Sequence, residues 1–123
     1  MKIKGYIVEK MDDNTFTLVE AYSKCLIYLL IGETSALLID TGSGVSDLYA
    51  AVKQLTDKPV SVVNTHGHLD HVANNHQFAD VYISGKDKEV FAAHTDRVYV
   101  TELIKVMYPK ILLWLFQKSS EIY

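Results

Sequence analysis

The sequence predicts an α/β fold in which a meander of short strands runs into strands alternating with helices. Three observations predict it. Over the first forty residues β-branched and aromatic residues alternate with polar ones, and turn signals cut the run into short segments. Two of those segments, 25–31 and 35–40, are near-continuous apolar runs, as expected of strands buried on both faces. Beyond Asp40 the apolar spacing becomes helical, then strand-like again, the alternation that builds an α/β sheet.

Residues 3–9 make the first expected strand, Asp12-Asp13-Asn14 a turn rather than a calcium loop, and 15–20 the second strand of a hairpin. Gly32-Glu33 then turns 25–31 into 35–40. Thr41-Gly42-Ser43-Gly44 reads as a tight strand-to-helix turn and not a phosphate cradle, because it lacks P-loop spacing. Ser46-Asp47 can cap a helix whose apolar positions are Leu48, Val52 and Leu55. Residues 60–64 follow Pro59 as a buried strand, 70–78 read as a short helix, and 81–84 as a short strand. A crossover places strand 35–40 beside strand 60–64, and ligands bind at the carboxyl ends of such strands. From Lys86 onward the pattern is helical. Val100, Leu103, Ile104, Met107, Ile111, Trp114 and Leu115 draw an apolar stripe through a helical segment 98–119, interrupted or kinked at Pro109.

The chain of 123 residues fits one domain, 1–123. With 49% hydrophobic and 22% charged residues it should fold around a core. Twelve basic residues against fifteen acidic ones give a net charge of −3, the wrong sign for a nucleic-acid surface. A lone cysteine, Cys25, excludes an internal disulfide and reads as a core thiol of a cytoplasmic protein. No signal-peptide stretch follows Met1, and the run 111–116 is far short of a transmembrane span.

Four of the five histidines, His66, His68, His71 and His76, fall within eleven residues. His66, His68, Asp70 and His71 form an H-x-H-x-D-H pattern. Two histidines one residue apart at a strand end can direct their imidazoles to one point, while Asp70 and His71 reach a neighbouring point from the next turn. Four ligands for two adjacent metal ions is the natural reading. Imidazole and carboxylate suit zinc, and also iron or manganese. His76 and His94 read instead as solvated helix histidines.

The segment 64–75, NTHGHLDHVANN, together with the upstream LLIDTGSG, resembles the metallo-β-lactamase superfamily of metal-dependent hydrolases over most of residues 20–95. The resemblance implies half of an αββα sandwich: a mixed β-sheet with helices on one face and an extra C-terminal helix. It implies that His66 and His68 hold a first metal and Asp70 and His71 a second, with Asp70 also managing protons. Asp40, at the end of LLID, is implied to orient the loop. The implied chemistry is attack by metal-bound hydroxide on an ester, thioester, lactam, lactone or phosphodiester of a small-molecule substrate.

In that family a second αβ half supplies further ligands, and no G-H-T-type motif for them occurs here. The sequence leaves open an excised amino-terminal portion, a natural half-length relative, or completion by pairing. The expectation is a homodimer through the apolar C-terminal helix, since a patch such as 111–116 is large for a monomer to expose. A non-catalytic half-domain acting through homodimer assembly is the alternative function.

Overall fold

A computed structural model describes residues 1–96; the stripe 98–119, and the dimer contact expected of it, lie outside the described residues. The described residues build a seven-stranded mixed sheet whose spatial order follows the chain. The strands are β1 (Lys2–Ile3), β2 (Tyr6–Asp12), β3 (Thr15–Glu20), β4 (Leu26–Ile31), β5 (Ala36–Ile39), β6 (Val60–Val63) and β7 (Val81–Tyr82). Pairing is antiparallel from β1 to β5 and parallel from β5 through β6 to β7. The switch comes where the hairpins end and the crossover through α1 (Leu48–Leu55) begins, since parallel neighbours need such a connection.

Side chains of successive strand residues point to opposite faces, so each strand divides in two. One face carries Tyr6, Val8, Leu18, Ile27, Leu29, Leu38 and Val62, all buried, and packs on Leu48, Ala51 and Val52 of α1. Asp47 caps α1 by accepting the Ala50 N–H at 3.1 Å. The other face is open among the described residues: Leu26, Leu30 and Leu37 are 41%, 38% and 37% exposed. The expectation that 25–31 and 35–40 are covered on both faces therefore holds for one face only, because the helix that follows them lies on that side.

The first expected strand is split. Lys4 and Gly5 both take positive φ, 46° and 92°, and fold β1 back on β2. The expected helix 70–78 is also broken, into α2 (Leu69–Val72) and a 3₁₀ turn Asn75–Gln77. The reason is tertiary. The N–H of Ala73 bonds to the carbonyl of Gly42 at 3.1 Å, and that of Asn74 to Thr41 Oγ1 at 3.2 Å, so neither continues the helical ladder. Past β7, a 3₁₀ turn Gly85–Asp87 leads into α3 (Lys88–Thr95).

Candidate metal centre

The parallel strands deliver their carboxyl ends to one edge. Asp40 follows β5 and bonds through its N–H to Val63 O at 2.9 Å, and Asn64 follows β6 and bonds to Tyr82 O at 2.9 Å. Asp40, Thr65 and the start of the histidine segment thereby come side by side. Asp40 is buried and adopts φ +67°, a left-handed conformation that Asp tolerates better than most residues.

Three donors hold its carboxylate. Oδ1 accepts the Thr65 N–H at 2.7 Å, and Oδ2 accepts the Thr65 hydroxyl at 2.7 Å and His71 Nδ1–H at 2.8 Å. A carboxylate can only accept, so the single hydroxyl proton of Thr65 goes to Asp40. Thr65 Oγ1 is then an acceptor for His66 Nδ1–H, 2.9 Å away. In their neutral form both imidazoles are thus fixed in one tautomer, with the proton on Nδ1 and the lone pair on Nε2.

Three possible ligand residues come together here. His66, Asp70 and His71 each offer a ligand atom within 4.8 Å of the others, all half-buried. His71 Nε2 lies 3.6 Å from Asp70 Oδ2. The ring centroids of His66 and His71 are 4.0 Å apart. Nitrogen and carboxylate donors of this kind suit a divalent cation, with outer hydrogen bonds already setting the tautomers. His68 lies outside that group; its exposed ring stands edge-on to His66 at 4.9 Å.

The backbone under the cluster is fixed too. The carbonyl of His71 accepts from Thr41 N at 2.9 Å and Asn64 Nδ2 at 3.3 Å. Asn75 ties Thr41 to Asn64, accepting at Oδ1 and donating to Asn64 Oδ1 at 2.7 Å. One segment further out, buried Glu20 accepts Ser43 N–H at 2.9 Å and the hydroxyls of Ser43 and Ser23, anchoring the loop after Asp40. Sequence reasoning gave Thr41, Asn64, Asn75 and Glu20 no role; their partners lie far along the chain.

His76 is exposed and bonds its own turn, through Nδ1 to Ala73 O at 3.1 Å. His94, expected to be solvated, is half-buried, and its Nδ1 accepts the Leu69 N–H at 2.7 Å. Burial, reinforced by the nearby His68, holds its imidazole below the ordinary range. Cys25 is half-buried at the start of β4 rather than deep in the core.

The sequence model of the metallo-beta-lactamase superfamily matches residues 23–100, more than half of the chain. The chain belongs to this superfamily. Its fold is similar to that of the metallo-beta-lactamase DIM-1 exposed to ceftazidime, with a TM-score of 0.60 at 19% identity, covering 75% of this chain and 48% of that one. It is similar also to a metallo-beta-lactamase from Erythrobacter litoralis with beta mercaptoethanol in its active site (TM-score 0.56, 12% identity, 76% and 48% covered). TMB-1 matches with a TM-score of 0.52 at 21% identity, covering 73% and 48%. No curated protein matches the chain. This superfamily member therefore spans about half the length of the structures it resembles, and it matches half of the metallo-beta-lactamase α/β fold. Superfamily membership supports a metal-dependent hydrolase in general, and a His/Asp group able to hold a metal ion is present among the described residues. Among the described residues no helix is long and apolar enough to cross a membrane.

Proposed function

We propose that His66, His68, Asp70 and His71 hold divalent metal ions, zinc first and iron or manganese on the same donors, and that this chain carries the ligand-bearing part of a hydrolase. The substrate class is a small-molecule ester, thioester, lactam or phosphodiester, in a cytoplasmic setting suggested by the lone thiol. The observation that carries the reading is the shared orientation of His66 and His71: with both Nδ1 protons committed to the Asp40–Thr65 pair, both Nε2 lone pairs are left for a cation beside Asp70.

When bound, a divalent cation supplies Lewis acidity and brings the pKa of water toward neutrality. The protein's own part is to hold and to move protons. The Asp40 carboxyl group stands behind His71 and, by holding Nδ1, keeps the ring from the other tautomer. Thr65 relays that constraint to His66. Asp70, half-buried at the rim with Oδ2 next to His71 Nε2, is the carboxylate that takes up a proton and returns it to the departing group.

Elemental analysis of the purified chain, supplied with zinc, tests the reading. One to two metal ions per chain, lost in His66→Ala, together with chelator-sensitive hydrolysis of a generic ester, is the expected result. Protein that stays metal-free under zinc would end it. A second reading, assembly of a non-catalytic half-domain into a homodimer, is favoured by the open face with Leu26, Leu30 and Leu37. Metal-free dimers in sedimentation would select it.

A further inference from the structure

A helix begins with backbone N–H groups that no earlier turn can accept, and the residue before it ordinarily covers one with its own side chain. At α2 that residue is His68, and its side chain makes no cap. The ring instead stands beside His66. The first N–H of the helix, that of Leu69, is covered from another element: His94 of α3 accepts it at Nδ1, 2.7 Å away. An accepting ring nitrogen holds the lone pair, so the ring proton of His94 is on Nε2 and the ring is not poised to coordinate a cation.

Two further contacts bring α3 against this loop. The rings of His68 and His94 lie 5.1 Å apart. Gly67 lets the chains touch, since a Cβ there would stand 2.7 Å from the backbone nitrogen of Phe91. From these contacts we infer that His94 is a positioning residue of the metal centre. By capping α2 in place of His68 it leaves the His68 imidazole standing beside His66 and fixes the start of the helix that carries Asp70 and His71. The inference rests on the metal-binding reading above.

The test uses the full chain, Zn²⁺ competition against a chromophoric chelator, and the visible spectrum of the Co²⁺-loaded protein. His94→Ala is expected to weaken Zn²⁺ binding about tenfold, the lower range for loss of an outer hydrogen-bond partner, and to shift the Co²⁺ bands. His94→Asn, whose amide oxygen can take the Leu69 N–H, restores the wild-type spectrum and most of the affinity. It also decides the matter should the alanine variant fail to fold. His66→Ala runs alongside. If it binds Zn²⁺ as the wild type does, the metal reading falls and this inference with it. If His66→Ala loses binding while His94→Ala keeps wild-type affinity and spectrum, or if His94→Asn is as impaired as His94→Ala, the positioning role alone is overturned.

Discussion

Asp40 accepts the Nδ1 proton of His71 at 2.8 Å, joining two residues thirty-one positions apart in the chain. The same carboxylate holds Thr65 twice, so one buried acidic group sets the orientation of two imidazoles. Asp40→Asn tests this, because Asn tolerates the left-handed backbone at this position while placing an amide among three donors. Expected are a loss of Zn²⁺ affinity of about 10- to 100-fold and a stability cost of about 1–3 kcal/mol. Competition titration and urea unfolding measure the two. Unchanged affinity would show that His71 needs no partner behind it.

Gly42 has φ +77°, and a Cβ there would stand 2.3 Å from Glu20 Oε1. Gly42→Ala therefore meets both backbone strain and the buried carboxylate that anchors the loop. A cost of about 2 kcal/mol or more is expected, combining the positive-φ penalty with displacement of a buried polar group. Thermal unfolding reads it. A melting temperature equal to that of the wild type would mean that the loop relaxes freely, contrary to its anchoring by Glu20.

Adjacent leucines on β5 give a controlled comparison. Leu38 is 0% exposed and faces α1, whereas Leu37 is 37% exposed on the open face. Leu38→Ala should cost about 2–5 kcal/mol, and Leu37→Ala about 0.5 kcal/mol or less, as surface substitutions do. Equal costs for the two in chemical denaturation would show that the open face is covered in solution.

Burial raises the Cys25 thiol above its ordinary range, with the negative charge of Glu20 adding to the effect and a bond from Ser23 opposing it. The folded chain then keeps its thiol proton where the unfolded chain loses it. Stability from this group is full below the ordinary thiol range and is lost as pH rises beyond it through the raised folded value. Iodoacetamide labelling of the native chain should therefore need a higher pH than labelling of glutathione, over about pH 8 to 10. Coincident pH profiles would contradict the assignment.

What the sequence revealed and what it hid divide along a physical line. Strands β2 and β3 were legible from period-two alternation and β4 to β6 from short apolar runs bounded by turn residues, all local signals, and the crossover from β5 to β6 follows from topology rules. The pattern of His66, His68, Asp70 and His71 was readable because it spans six residues, and the structure brings three of the four, His66, Asp70 and His71, together. The break in 70–78 was not, since its cause is the bonding of Ala73 and Asn74 to Gly42 and Thr41. His94 was misread for the same reason: its partner, Leu69, lies twenty-five residues away, and no periodicity announces a cap supplied by another helix.

The double grip on the His71 carbonyl, from Thr41 N and Asn64 Nδ2, means that the centre is not the property of any one stretch of chain. A synthetic dodecapeptide copying residues 64–75 would own every imidazole yet none of the tautomeric discipline. Its cation affinity would be weak and indiscriminate. On the metal-binding reading, chelating power belongs to the tertiary fold and is available only once distant parts of the polypeptide have met.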